Sequence, residues 1–257
     1  MRNASAFAAG IGATRPAYFA DVPLAPPSMI VALEWPLLNG AVYRGLLDAP
    51  QEVMERAVHV RQASRFHRPI VAGMDVTTTG RVVGMRQARR GAIVQVVLTT
   101  AGPDDEVVAD STFTALFLDT VLDATIERTG DAPRSAAVPA ANFRAERPVP
   151  IGAAHAYTEC SGIWNPIHTE AIAARRAGFA APIVHGTWTW AVAMEQAIDW
   201  WCDGNPLRLR SWSGDFVSPV VPGRAIELSG GIRAGEGCVE VRQAGQICMR
   251  AAGTLAR

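Results

Sequence analysis

Two separate segments of this chain repeat at one offset, and that repetition limits the folds open to it. Phe66-x-x-Pro69-Ile70-Val71-x-Gly73 recurs 150 residues later as Phe216-x-x-Pro219-Val220-Val221-x-Gly223. Phe7, Gly12 and Pro16 recur at the same offset as Tyr157, Gly162 and Pro166. Chance could produce either match alone. Two matches at one offset read as a tandem duplication of a single structural unit. Each unit opens with a helix that ends in a Gly-x-x-x-Pro turn, runs through a linking stretch, and finishes in strands.

The strand runs alternate with turn signals. Val94–Thr100 and Ser111–Leu118 are rich in β-branched and aromatic residues. Gly102-Pro-Asp-Asp105 between them predicts a hairpin turn. The second unit repeats the theme with Glu227–Gly230, Cys238–Arg242 and Gln246–Ala252, separated by glycine turns. Antiparallel strands beside helices suggest an α+β architecture. Residues Gly186–Trp201 are apolar on most faces of their first two turns, which predicts a buried helix rather than an amphipathic one. The join between the units falls in residues 124–150, rich in Ala, Pro and Arg and expected to cross the surface. The expected division is therefore 1–123, a joining stretch 124–150, and 151–257.

Composition narrows the chemistry. All 24 basic residues are arginine, so lysine Schiff bases and a phosphate-binding lysine loop are excluded. The formal charge is zero, which gives no global field to attract nucleic acid or a membrane surface. Cys160, Cys202, Cys238 and Cys248 lack zinc-type spacing and read as free thiols of a reducing, cytoplasmic setting. The opening apolar residues read as the first helix of the repeat rather than a signal peptide. No run approaches the roughly 18 apolar residues of a membrane span.

The second unit carries the chemically suggestive run: Tyr157-Thr-Glu-Cys-Ser-Gly-Ile-Trp-Asn-Pro-Ile-His168, followed by Ala177-Gly-Phe-Ala-Ala-Pro-Ile-Val-His-Gly186. Asn165 is a favoured helix cap and Pro166 suits the first helical position. A helix is expected over Pro166–Ala177, with Gly178 as its left-handed stop. His168 would then sit in the first turn, where the positive helix end favours neutral imidazole. The run resembles the signature of the MaoC-like, (R)-specific enoyl-CoA hydratase and dehydratase family. That resemblance implies a tandem double hotdog: two curved antiparallel sheets, each wrapped around a central helix. It also implies a lyase acting on an acyl thioester of coenzyme A or a carrier protein, with no cofactor and no metal. The expected partners stop at that substrate, with no nucleic acid and no membrane, in a monomeric double hotdog or a homodimer.

Carried over position by position, the resemblance makes His168 the proton-transferring group, Asn165 its positioner and the Gly186 amide the oxyanion donor. The same offset sets Ala13, Arg15 and Tyr18 opposite Ile163, Asn165 and His168, so the first unit lacks such a set and is expected to shape the acyl tunnel. One departure matters. The family's Gly-Asp-x-Asn-Pro-x-His has its aspartate where this chain has Ile163. An isoleucine transfers no protons. Three outcomes follow: a substitute acid, with Glu159 ahead of Glu170 and Cys160; a one-relay isomerase or cyclase of a secondary pathway; or a protein that binds acyl thioesters without turning them over.

Ile163, Trp164, His185 and Glu159 are the expected substrate-side residues. His59, His67 and His155 read as structural or exposed, and Trp188, Trp190, Trp200 and Trp201 as core. Arg175 and Arg176 are either solvated or close to substrate phosphates. Ser161 lacks the surroundings of a hydrolase nucleophile.

Overall fold

In the computed structural model, which describes residues 4–39, 45, 47, 49–123, 125–126 and 141–256, the β-branched runs assemble into one continuous antiparallel sheet. Its strands are β1 (Ala57–Phe66), β2 (Thr77–Ala88), β3 (Gly91–Ala101), β4 (Val107–Leu118), β5 (Phe143–Arg147), β6 (Leu209–Phe216), β7 (Ile226–Arg233), β8 (Glu236–Gln243) and β9 (Gln246–Leu255). They lie in the order β2-β3-β4-β1-β6-β9-β8-β7-β5. Strand β3 shows why these runs form a half-buried sheet. Val94, Val96 and Leu98 are buried, while Ile93, Gln95 and Val97 between them are only partly covered.

The helices are α1 (Ala4–Gly10), α2 (Ile30–Leu38), α3 (Gln51–Met54), α4 (Ala153–Ser161), α5 (Ala171–Arg176) and α6 (Gly186–Trp201). Every residue of α6 from Thr187 to Ile198 is buried, as its all-round apolar sequence predicts. It forms the centre of the second hotdog. In the first unit α2 takes that place. No helix among the described residues is long and apolar enough to cross a membrane.

The duplication is visible in matching local geometry. Helices α1 and α4 are followed by Gly12 and Gly162 at φ +68 and +65, a left-handed turn that glycine adopts without steric cost. The Ala25 amide donates to the Ile70 carbonyl and the Val184 amide to the Val220 carbonyl, which ties the two linking stretches to positions 150 residues apart. The two units meet as the protomers of a symmetric dimer would, along a pseudo-twofold axis. On it, residues face their own counterparts at the 150-residue offset. Ala63 lies opposite Ser213 where β1 pairs with β6. The rings of Phe7 and Tyr157 meet edge-on at 5.7 Å. A Cβ on Gly10 would stand 2.7 Å from that of Cys160. Self-facing contacts of this kind define an isologous interface.

Two local expectations differ from the structure. The helix expected over Pro166–Ala177 is broken: a 3-10 turn covers Pro166–His168, Glu170 is extended at φ −119 and ψ 117, and α5 starts at Ala171. Burying His168 turns the chain tightly, and this tertiary demand overrides the helix propensity of the alanines. The joining stretch also contributes structure at its end, because Phe143–Arg147 pairs with β7 as the edge strand β5. Phe143 there stacks on Trp200 at 5.5 Å. Positions 124 and 127–140 of that stretch lie outside the described residues.

Candidate active site between the two units

The second-unit motif builds a corner in front of α6. Asn165, extended at φ −145 and ψ 123, accepts a 3.3 Å hydrogen bond from the Ile167 amide at its Oδ1 and starts the turn through Pro166. The turn buries His168, whose Nδ1 donates to the Ile183 carbonyl at 2.8 Å. A carbonyl only accepts, so the proton is on Nδ1 and the lone pair is on Nε2. His185 is oriented the same way, with Nε2 donating to the Ile163 carbonyl at 3.0 Å. The two imidazoles stack at 3.7 Å. Burial pushes His168 down to about 4, against the Ile183 hydrogen bond. His185 falls further, through burial and the proximity of His168. Both rings are neutral at physiological pH, which is the state a base requires. Removing the cap, as Asn165→Ala, should cost about 1 kcal/mol of stability in urea unfolding, the usual price of a lost helix cap.

Helix α6 begins at Gly186, directly after that corner. The first amides of a helix have no carbonyl one turn back, and they point at whatever lies before the helix. A Cβ at Gly186 would come within 3.1–3.3 Å of the Phe216 ring, so the absence of a side chain is what allows this approach. In front of Gly186 lies a small cavity. The second unit lines it with Ile163, Gly186 and Thr187. The first unit supplies the rest: Val31, Glu34, Trp35 and Leu38 from α2, His59 and Gln62 from β1, and Phe113 from β4. The site is therefore shared across the pseudo-twofold axis.

The motif residues are distributed unevenly around this cavity. Ile163, only 4% exposed, and Gly186 lie in its wall. His168 and His185 stand beside it and are not among the lining residues. Trp164, expected against the substrate, is 54% exposed and outside the lining. The expected substitute acids do not reach it either. Glu159 and Glu170 are exposed, and Cys160 packs against Gly10. A helix buries one face, and α4 turns Tyr157 and Thr158 inward, which carries Glu159 to the solvent side. Arg175 and Arg176 are exposed at the end of α5. His67 is exposed and bonded to Asp110, and His155 is exposed.

Sequence reasoning missed Glu34 and Gln62 and gave His59 only a structural or exposed role. Glu34 is 1% exposed and accepts from Gln62 Nε2 at 3.1 Å. Burial raises its carboxyl to about 8, partly offset by hydrogen bonds from Ser111 and Gln62. His59, read as structural, lies in the cavity wall between the rings of Phe113 and Phe216, at 4.3 and 4.9 Å. Its Nε2 donates to the Arg61 carbonyl at 2.9 Å, and burial lowers it to about 4. The available signal was Glu34 itself, a lone acid inside the apolar run Ile30–Leu38.

The corresponding corner of the first unit has become a structural clasp. Arg15, at the offset position of Asn165, donates Nε to Glu195 at 2.9 Å and Nη2 to Asp199 at 2.7 Å. Tyr18, at the offset position of His168, donates to Glu195 Oε1 at 2.9 Å. At the first unit's corresponding helix start Pro27, preceded by Pro26, stands where the second unit has Gly186 preceded by His185. Neither proline has an N–H to offer a ligand. Among the described residues no group of three His, Cys, Asp or Glu side chains is arranged to hold a metal ion.

Comparison with known proteins agrees with this fold. Residues 134–244 match the family described as MaoC like domain, and residues 2–111 match the FAS1-like dehydratase domain region. A probable enoyl-CoA hydratase 2 of Dictyostelium discoideum is 35% identical over 71 residues, covering 28% of this chain and 24% of that protein. The chain thus matches about a quarter of that relative's length. A MaoC-like dehydratase from Phytophthora capsici superposes with a TM-score of 0.86 at 18% identity, covering 100% of this chain and 92% of the other. A Mycobacterium tuberculosis protein described as a double hotdog superposes with a TM-score of 0.62 at 17% identity, covering 98% and 91%.

Proposed function

The chain belongs to the MaoC-like dehydratase family, and on that premise we propose that it adds water to, or removes it from, the α,β-bond of an acyl thioester. The observation that carries this reading is the Gly186 amide. It begins a buried 16-residue helix, and Gly186 lies in the wall of a cavity whose lining is largely apolar, with Glu34, His59, Gln62 and Thr187 as its polar members. Donors aimed at a developing oxyanion in a site shielded from water stabilise it far more than water would. A thioester carbonyl resting there acquires enolate character when its α-proton leaves.

His168 is the base for that proton. Its Nδ1–H is held by Ile183, its Nε2 keeps the lone pair, and its ring stacks on the residue that precedes Gly186. Asn165 holds the turn that carries it. Ile163 occupies the position of the family's aspartate, so the second unit supplies one proton-transfer group rather than two. The similarity to a probable enoyl-CoA hydratase 2 favours coenzyme A as the thioester group.

Loss of enoyl-thioester absorbance on hydration tests the proposal. A panel of enoyl-coenzyme A esters of increasing chain length should include one that the wild type consumes. His168→Ala should lower that rate by about 10²- to 10⁴-fold, the usual contribution of a positioned acid–base group. Absence of turnover across the panel, or a His168→Ala rate equal to wild type, rejects the reading.

A further inference from the structure

We propose that Glu34, contributed by the first unit, is the catalytic acid–base residue that works opposite His168 and fills the part in the reaction that Ile163 cannot. This deepens the hydratase reading and rests on it.

The cavity in front of Gly186 holds two ionisable side chains among its lining residues, Glu34 and His59, and both come from the first unit. Glu34 shares that wall with Ile163, the position where the second unit lacks an acid. Its surroundings set it apart from the other shielded carboxylates. Glu195 is paired with Arg15, Asp215 with Arg61, and Glu240 with Arg242 and Arg250. The partners recorded for Glu34 are neutral: the Gln62 amide and the Ser111 hydroxyl. A buried carboxyl without a cation is unfavourable for stability, and an apolar residue would fill the same space better. Retaining a carboxyl there is explained by a reaction that uses its proton.

The groups facing Glu34 preserve that proton. Gln62 and His59 come from β1, Ser111 and Phe113 from β4, Thr187 from α6, and Trp35 from its own helix. His59 is the one titratable side chain among them, and burial keeps it neutral. Gln62 donates from Nε2 to Glu34 Oε2 and so orients the carboxyl. At neutral pH Glu34 is a protonated acid while His168 is an unprotonated base. That is the pairing dehydration needs.

His168 Nε2 takes the α-proton of a 3-hydroxyacyl thioester, and the C–H electron pair moves onto the thioester oxygen at the Gly186 N–H. The pair then returns to form the Cα–Cβ double bond as the Cβ–O bond breaks. The departing oxygen takes the Glu34 proton and leaves as water. Transfer of a proton from the imidazolium to the carboxylate through solvent restores both groups. Hydration is the same sequence reversed.

The test uses the full chain and the 3-hydroxyacyl- or enoyl-coenzyme A ester that the wild type handles best. Glu34→Gln keeps the size and hydrogen-bonding shape but carries no acidic proton. It should lower dehydration by about 10²- to 10⁴-fold, and Glu34→Asp should retain part of the activity. The wild-type rate should fall as pH rises through about 8, where Glu34 ionises, and Glu34→Gln should lose that limb. Exchange of the α-proton with deuterium from solvent separates catalysis from mere support. It needs His168 and Gly186 only, so Glu34→Gln should keep it within about tenfold while His168→Ala loses it. Wild-type-like dehydration by Glu34→Gln, or a parallel loss of exchange and dehydration with a lowered melting temperature, overturns the proposal and leaves the hydratase reading intact. A wild type inert on every ester overturns both.

Discussion

Replacing Gly186 by proline is expected to lower kcat by about 10²- to 10³-fold, the usual effect of removing one oxyanion donor, without unfolding the protein. Gly186 is the first residue of α6, and proline is well tolerated there because the helix does not use that N–H. His185 before it sits at φ −57 and ψ 136, the extended geometry that a following proline demands. The first unit already carries Pro26 and Pro27 at the equivalent helix start. The control is Gly186→Ala, which keeps the amide and meets the same Phe216 ring at 3.1–3.3 Å. Both variants displace Phe216 by a few tenths of an ångström, so the excess loss in proline reports the amide. A loss in kcat with little change in KM identifies an interaction made in the transition state. Equal rates for the two variants would remove Gly186 from the mechanism.

Arg15→Ala should be the most destabilising single change outside the apolar core, at about 3–5 kcal/mol in urea unfolding. Arg15 ties the first unit to α6 through Glu195, Asp199 and the carbonyl of Gly204, with its side chain 13% exposed and that of Glu195 7% exposed. Burial pushes the Glu195 carboxyl up, while Arg15 and Tyr18 hold it down. Without the guanidinium, Glu195 is left as a buried charge with a single phenol partner. Most of the cost is that unpaired charge rather than the lost attraction. Adding Glu195→Gln to Arg15→Ala should therefore recover much of the stability. If the double variant is less stable than the single one, the clasp owes its contribution to something other than charge pairing.

The clasp gives the first unit's corner a structural role in place of a polar site. The positions offset from Asn165 and His168 hold Arg15 and Tyr18, and both now bond to the acidic side of the partner unit's central helix. The prolines at the first unit's helix start offer no N–H there. The first unit instead lends α2 and β1 to the remaining cavity, and with them Glu34, Gln62 and His59.

Much of this was legible from residue order. The duplication appeared as two matches at one offset because equivalent backbone turns need the same residues: a left-handed glycine after the helix and a proline at the turn. The strand runs and the buried α6 followed from side-chain periodicity, which depends only on local geometry. The second-unit motif marked the corner around Asn165, His168 and Gly186 for the same reason, since caps and helix starts are made by neighbours in sequence. Glu159 was misjudged because spacing along a helix gives nearness in the chain but not which face is buried.

What residue order alone determined was most of each unit's local conformation: the strand runs, the left-handed glycine turns and the buried α6. What only the tertiary structure decided was which unit completes the site. The pairing of β1 with β6 brings Glu34 and His59 to the cavity of a motif more than 100 residues away in the chain. That approach is a product of the pseudo-twofold packing. Burial, which raises the Glu34 carboxyl and lowers the histidines, exists only once the two units have closed on one another.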